Sequence, residues 1–239
     1  MTAASDLTVE EIPPIRKVEP AVLAVLADWT GVNLDSAEAS AWERRAAETY
    51  PPWRRREWLI GRLTARAALS LRYGRRAGQA ELVPDGVSGA PRVRGLRGVE
   101  VSLSHTGDRV ACVVAPAGRQ VGIDVEVRGR CDPELARRIL GPGETIPAGL
   151  DPTVLWTLKE AAYKAVIGRW SGLRAYRVHW LPDGPAVSVP AGLRLPSRTF
   201  DWEGTVVALV GHEVHTTELT LLDPGARGTS LTEPKGQRI

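Results

Sequence analysis

The sequence predicts an α+β fold built from two similar subdomains that share a cleft. Each half of the chain contains one long amphipathic helix, and each helix is followed by a set of short strands. We therefore expect an N-terminal arm over residues 1–20, an N-terminal subdomain over residues 21–118, a C-terminal subdomain over residues 119–222 and a disordered tail over residues 223–239.

The first long helix is predicted to begin at Pro51-Pro52 and to end at Gly74. Proline suits the first turn of a helix, and glycine suits the position just past its end. Apolar residues recur at helical spacing within this segment. They are Trp58, Leu59, Leu63, Ala67 and Leu71.

The second long helix is predicted between Asp151 and Gly168, in the segment DPTVLWTLKEAAYKAVIG. The other elements are shorter and follow from turn residues and from alternating or apolar runs. They are a strand or short helix from Ala21, a helix from Asp35 or Ser36, a hairpin over 99–116, a strand over 120–127, a helix from Asp132, and strands near 174–180, 186–189, 205–210 and 215–222.

Arginine dominates the basic residues. The 239 residues carry a formal net charge of +3, and of the 31 Lys and Arg only Lys17, Lys159, Lys164 and Lys235 are lysine. Planar guanidinium groups suit phosphate or carboxylate partners. The chain has two cysteines, no signal-peptide pattern and no apolar run of about 18 residues. These features predict a cytoplasmic protein with no membrane partner.

The stretch VGIDVEVRGR places two carboxylates in an apolar strand. Asp124 and Glu126 are two residues apart, so they point to the same side of the strand. Three interpretations are open from these residues alone. The pair faces solvent at a strand end, it pairs with Arg128 and Arg130, or it holds a metal ion.

Two further stretches carry candidate site residues. In WTLKEAAYK, Trp156, Glu160 and Lys164 follow at four-residue intervals and share one helix face. Either Glu160 and Lys164 form a surface ion pair, or Glu160 supplies a third oxygen ligand to a hard cation beside an ammonium. Three carboxylates with nearby basic residues suit a magnesium-bound diphosphate. In SLSHTG, Ser104 and His105 end a strand before a turn, where side chains belong either to the plain surface or to a site.

The order of these motifs resembles a known family. RREWLIGRLTAR, GAPR, SLSHTG, GIDVE and WTLKEAAYK are together similar to the motif set of the Sfp-type 4′-phosphopantetheinyl transferases, over roughly residues 20–215. The resemblance implies two pseudo-symmetric α+β subdomains with the active site in the cleft between them, and a monomer. The implied reaction moves the 4′-phosphopantetheine arm of coenzyme A to a serine of an apo acyl, peptidyl or aryl carrier protein and releases adenosine 3′,5′-bisphosphate. Such carriers serve fatty acid, polyketide or nonribosomal peptide biosynthesis.

The resemblance also implies the catalytic residues and a cofactor. Asp124, Glu126 and Glu160 would bind Mg²⁺, with Mn²⁺ as an alternative, and the cation would grip the pyrophosphate of coenzyme A. Asp124, Glu160 and Lys164 would be catalytic. Glu160, or a water that it orients, would take the serine proton, and Lys164 would stabilise or protonate the leaving phosphate.

Further residues are implied in coenzyme A binding. Ser104 and His105 would lie on its 3′-phosphate side, and Lys159 and Lys164 would contact its phosphates. Arginines at the start of the first long helix would supply further positive charge, because guanidinium forks suit a phosphate. They are Arg54, Arg55, Arg56 and Arg62.

Two departures from the family pattern concern phosphate and carrier contacts. Ala90 stands where the family has lysine or arginine, so Arg92 or Arg94 would replace that phosphate contact. The family's paired phenylalanines and following glutamate become Ile139-Leu140 and Glu144, which we expect near the carrier-binding side.

Two alternative functions remain from the sequence. One is an arginine-rich nucleic-acid-binding module that uses WRRREW and ARRIL, and the other is an inactive scaffold with a transferase fold. The 28 acidic residues nearly balance the 31 basic ones, and no nucleic-acid motif is present, so we expect no nucleic-acid partner. The complete set of Asp124, Glu126, Glu160 and Lys164 disfavours an inactive scaffold.

Overall fold

The computed structural model describes residues 22–34, 39–166 and 172–225, and the backbone of residues 231–232. The α+β class is confirmed. The predicted N-terminal arm and Gly168, the predicted end of the second long helix, lie outside the described residues. The helices are α1 (Ala41–Glu48), α2 (Pro52–Tyr73), α3 (Pro133–Ile139) and α4 (Pro152–Ala165). The strands are β1 (Leu23–Asp28), β2 (Glu81–Pro84), β3 (Pro91–Arg94), β4 (Val99–Thr106), β5 (Arg109–Pro116), β6 (Val121–Val127), β7 (Arg177–Leu181), β8 (Gly184–Ser188), β9 (Arg194–Trp202), β10 (Thr205–Gly211), β11 (Glu218–Leu222) and β12 (Leu231–Thr232).

Two five-stranded sheets organise the molecule. The first has the order β12-β11-β1-β5-β4, and the second has the order β6-β10-β9-β8-β7, while β2 and β3 form a separate hairpin. β11 pairs in parallel with β1, with Leu23 opposite Glu218. β11, which lies in the predicted C-terminal subdomain, therefore belongs to the first sheet and covers the edge of β1 that β5 leaves open. The subdomain bounds stay a prediction. β12, in the tail predicted to be disordered, pairs with β11.

The two sheets and two long helices form four layers. Alternate residues of β1 point to opposite faces, so Val25 packs towards α2 and Leu26 packs against the second sheet. β10 alternates in the same way, with Leu209 towards the first sheet and Ala208 towards α4. Each half therefore repeats one arrangement, a helix covering the outer face of a sheet, and the two inner faces share one hydrophobic core.

Helix α2 begins and ends as predicted, but of its five predicted apolar positions Trp58 alone is buried. The predicted stripe includes Leu59 and Leu63, which are half-buried, whereas Ala65, Ala68 and Leu69 are completely buried against the first sheet. Spacing could not select the buried face because apolar residues lie on more than one side of this helix. Among the described residues, no helix is long and apolar enough to cross a membrane.

Gly122 allows α4 to lie directly against β6. A Cβ atom at Gly122 would lie 2.0 Å from the carbonyl oxygen of Ala161 and 2.6 Å from the backbone nitrogen of Ala165. Only glycine permits so close an approach of helix and strand backbones. The contact fixes α4 beside the strand that carries Asp124.

Candidate active site

Asp124 lies at the junction of the two halves. Its side chain is almost fully buried, and its residue is 3% exposed. The Oδ1 atom accepts a hydrogen bond from Ser104 Oγ on β4 at 2.6 Å and another from Lys164 Nζ on α4 at 2.6 Å. One carboxylate oxygen thus joins strands from both sheets to the second long helix. The interpretation that this carboxylate faces solvent is wrong for Asp124.

The neighbouring carboxylates carry negative charge that is not fully balanced. Burial and the charge of Asp124 raise the pKa of Glu126 to about 7. The same two causes raise the pKa of Glu160, and the Lys164 ammonium opposes the shift for both groups. The Oδ2 atom of Asp124 is buried and has no hydrogen-bond partner among the described residues. The carboxylate cluster of Asp124, Glu126 and Glu160 therefore favours an additional positive charge.

The residues of this cluster are of the type that holds a hard divalent cation. In the described ranges, no three His, Cys, Asp or Glu side chains lie close enough together to form a metal site. The unpartnered, buried Oδ2 of Asp124 is nevertheless an available oxygen ligand, and Mg²⁺ commonly takes one or two carboxylates together with water and substrate phosphates. The donor chemistry fits such a cation, and the ligand set Asp124, Glu126 and Glu160 stays a prediction.

Pairing with nearby arginines does not account for the carboxylates. Arg128 forms a bidentate ion pair with Asp201, with Nε and Nη2 each 2.6 Å from a carboxylate oxygen. Arg130 acts on Glu126 only as one of the charges that lower its pKa. The interpretation in which Arg128 neutralises the pair is therefore wrong.

His105 lies beside an arginine from the start of α2. Nη1 of Arg54 is 3.2 Å from Nε2 of His105, and because arginine can only donate, Nε2 is the acceptor. The same guanidinium pairs with Glu57 at 3.2 Å. Burial lowers the pKa of His105, and the charges of Arg54 and Lys164 act in the same direction, while those of Glu57 and Asp124 partly oppose it. His105 is therefore a neutral imidazole at pH 7, held next to a permanent cation.

Ser104, a predicted coenzyme A contact, donates a hydrogen bond within the protein in this structure. It was expected to bind coenzyme A, but its buried hydroxyl donates its single proton to Asp124. A hydroxyl has only one proton to donate. In this structure Ser104 orients the Asp124 carboxylate, and it cannot at the same time donate to a phosphate.

The Lys159 ammonium is buried and bound within the protein, and its predicted phosphate contact stays a prediction. Its side chain is 0% exposed and pairs with Glu144, which is 2% exposed, at 2.5 Å. Its ammonium also donates to the carbonyl oxygens of Ile139 at 2.8 Å and Tyr176 at 2.6 Å. Glu144 accepts in addition from the backbone of Val178 at 2.6 Å. The pair ties α4 to the segment after α3 and to β7.

The other arginines that were predicted to contact coenzyme A bind groups of the protein itself. Arg56 donates to Asp108 at 2.7 Å and to two backbone carbonyls near the end of β1. Arg55 donates to carbonyls that precede α2, and Arg62 stacks over Trp58 at 3.3 Å. Arg92 pairs with an aspartate within the β2–β3 hairpin. Of the arginines at the start of α2, Arg54 is the one that contacts a predicted site residue.

Sequence reasoning missed two residues that shape this site. Glu57 pairs with Arg54 beside His105, and its position three residues after Arg54 on a helix was an available signal. Gly122 permits the contact of β6 with α4, and a glycine inside a strand was the signal of a close backbone approach.

Two family models match neighbouring segments of the chain. Residues 43–115 match the 4′-phosphopantetheinyl transferase N-terminal domain, and residues 120–210 match the 4′-phosphopantetheinyl transferase superfamily. Together the matches span more than half of the chain, and they meet between β5 and β6, where the two halves join. The fold and the matches define a transferase, and the chain belongs to the 4′-phosphopantetheinyl transferase superfamily. No curated protein matches it significantly.

Proposed function

We propose that this protein is an Sfp-type enzyme that moves the 4′-phosphopantetheine arm of coenzyme A to a serine of an apo carrier protein. Adenosine 3′,5′-bisphosphate is the second product. The observation that carries the proposal is the buried Asp124 carboxylate, which Ser104 and Lys164 share at the junction of the two halves. Two carboxylates that interact electrostatically with Asp124, those of Glu126 and Glu160, have raised pKa values. Both halves of the chain match the same superfamily.

Three carboxylates would hold Mg²⁺ or Mn²⁺, namely Asp124, Glu126 and Glu160. When bound, the cation would stabilise negative charge on the pyrophosphate of coenzyme A. Lys164 would add an ammonium near the same phosphates, and unlike arginine it can give up a proton at modest cost.

Glu160 would act as the general base. Burial and the charge of Asp124 raise its pKa, which makes the ionised carboxylate a stronger base. As the serine proton passes to Glu160, the serine oxygen forms a bond to the phosphorus that carries pantetheine. The bond from this phosphorus to the bridging oxygen breaks, and its electron pair leaves with adenosine 3′,5′-bisphosphate. Lys164 would donate a hydrogen bond or a proton to that oxygen.

Arg54 and His105 would receive the 3′-phosphate of coenzyme A. The Arg54 guanidinium lies next to the His105 imidazole, and a fork of N–H donors suits a phosphate. This pair would replace the basic residue that Ala90 does not supply, whereas Arg92 and Arg94 pair with Asp85 and Glu81 within the β2–β3 hairpin.

Both halves of the site lie in one chain, so we propose a monomer that works in the cytoplasm on acyl, peptidyl or aryl carriers. Nucleic acid is not proposed as a partner, because the 28 acidic residues nearly balance the 31 basic ones. Choosing among fatty acid, polyketide and nonribosomal peptide carriers requires a direct comparison of substrates.

The test is incubation of the purified protein with coenzyme A and an apo acyl, peptidyl or aryl carrier, followed by mass spectrometry of the carrier. Each reaction is run with Mg²⁺ and with a chelator in its place. We expect a gain of one phosphopantetheine arm on at least one carrier with Mg²⁺ and no gain with the chelator. If none of the three carriers gains mass, the proposed function is wrong.

A further inference from the structure

Lys164 already occupies the carboxylate to which the cation is proposed to bind. Its Nζ atom donates to Asp124 Oδ1 at 2.6 Å, and that oxygen also accepts from Ser104 at 2.6 Å. Asp124 is 3% exposed, so water does not screen the ion pair on the side of the carboxylate. In this arrangement the ammonium is the counter-charge of Asp124.

The surroundings of this ion pair leave room for a stronger counter-charge. Glu126 and Glu160 each interact electrostatically with both Asp124 and Lys164. The Lys164 ammonium therefore interacts electrostatically with three carboxylates, and Arg130 also acts on Glu126. The Oδ2 atom of Asp124 is buried without a partner in the described part of the chain, so its lone pairs are available. A divalent cation on this carboxylate would strongly repel an ammonium held 2.6 Å from the other oxygen.

We infer that the Lys164 ammonium and a divalent cation compete for Asp124. Tight binding of the cation then requires Lys164 to move away from Oδ1. The inference rests on the proposed function, since it takes Asp124 as a cation ligand. It adds a consequence for binding order: the phosphates of coenzyme A attract the displaced ammonium, so coenzyme A and the cation strengthen each other's binding through Lys164.

The competition can be measured without coenzyme A and without activity. Mn²⁺ is titrated into the full-length protein, and the free ion is followed by its electron paramagnetic resonance signal. Lys164→Met removes the competing ammonium, so we expect it to bind Mn²⁺ about tenfold or more tightly than the wild type. Lys164→Arg keeps the positive charge and should stay within about threefold of the wild type.

Arg128→Met is the matched control for loss of one positive charge. Arg128 directly follows β6, the strand that carries Asp124, but it pairs with Asp201. Its loss should therefore change the Mn²⁺ affinity by less than about threefold. Equal or weaker binding by Lys164→Met would overturn the competition.

Asp124→Asn separates failure of the competition from failure of the proposed cation site. If Asp124→Asn loses Mn²⁺ while Lys164→Met gains no affinity, the cation site stands and the competition is wrong. If Asp124→Asn binds Mn²⁺ as well as the wild type does, both are wrong.

Thermal unfolding gives a second readout that also covers a destabilised variant. A bound ion stabilises the folded state in proportion to the logarithm of its affinity. Saturating Mn²⁺ should therefore raise the melting temperature of Lys164→Met more than that of the wild type. A smaller rise contradicts the inference.

Discussion

Lys159→Met tests whether Lys159 serves the structure or a phosphate. The ammonium of Lys159 is completely buried and has Glu144 at 2.5 Å and two carbonyl oxygens at 2.6 and 2.8 Å. Methionine keeps most of the apolar stem but leaves the buried Glu144 carboxylate without its cation. Removing one partner of a buried ion pair costs about 3–5 kcal/mol of unfolding free energy.

The assay is thermal and urea unfolding of the purified variant. For a chain of this size, 1 kcal/mol corresponds to about 2–4 °C, so the melting temperature should fall by roughly 6–20 °C. Arg138→Met is the matched control, since Arg138 forms an exposed pair with Glu134 within α3. Its effect should stay within about 0.5 kcal/mol. A double variant with Glu144→Gln should lose about 2 kcal/mol less than the sum of the single losses.

Coenzyme A binding separates the two roles of Lys159. Below its melting temperature, Lys159→Met should keep a KM for coenzyme A within about threefold of the wild type. Unchanged stability together with a KM raised about tenfold or more would refute the reasoning and restore Lys159 as a phosphate contact.

Two further changes test the packing and the charge of the site. Gly122→Ala places a Cβ 2.0 Å from the Ala161 carbonyl oxygen, so urea unfolding should show a loss of about 3 kcal/mol or more in unfolding free energy. Gly61→Ala is the control, because a Cβ there meets nothing within 4 Å. It should raise the unfolding free energy by about 0.5–1 kcal/mol. Equal effects of the two alanines would contradict the proposed contact. Burial raises the pKa of Glu126 from 4.5 to about 7. Between these two pH values the folded protein holds a proton that the unfolded chain has lost, so the free energy of unfolding falls as pH rises. In urea unfolding, Glu126→Gln should match the stability of the wild type near pH 4.5 and exceed it by roughly 1–3 kcal/mol above pH 7. Parallel profiles of stability against pH for the two proteins would exclude the raised pKa.

Local signals predicted much of the fold. Proline and glycine marked the start of α2 and its end at Gly74, and Asp151 with Pro152 marked the start of α4. These signals act through the helix backbone and need no tertiary information. β9 was missed because Pro196 and several polar residues make its sequence resemble a loop. Its strand conformation depends on pairing with β8 and β10, which a single sequence does not reveal.

Sequence predicted the site best where residues close together in the chain belong to one strand or one helix, because the regular backbone then determines which side chains share a face. Asp124 and Glu126 share a strand, Glu160 and Lys164 share a helix face, and the structure brings Lys164 to Asp124. The burial of Lys159 was not predicted, although adjacent helical residues point about 100° apart. It lies on the side of α4 that packs into the core. Its partner Glu144 lies 15 residues earlier in the chain, in the segment after α3. No local sequence pattern therefore predicted the buried Lys159–Glu144 pair.

Loss of transfer on neutralising Asp124 tests the central claim most directly. The initial rate of mass gain on an apo carrier is compared between the wild type, Asp124→Asn and the control Arg128→Met, at saturating coenzyme A and Mg²⁺. We expect Asp124→Asn to lose at least about 100-fold in rate and Arg128→Met to stay within about threefold. A rate for Asp124→Asn close to that of the wild type would contradict the claim that this buried carboxylate is the centre of a phosphopantetheinyl transfer site.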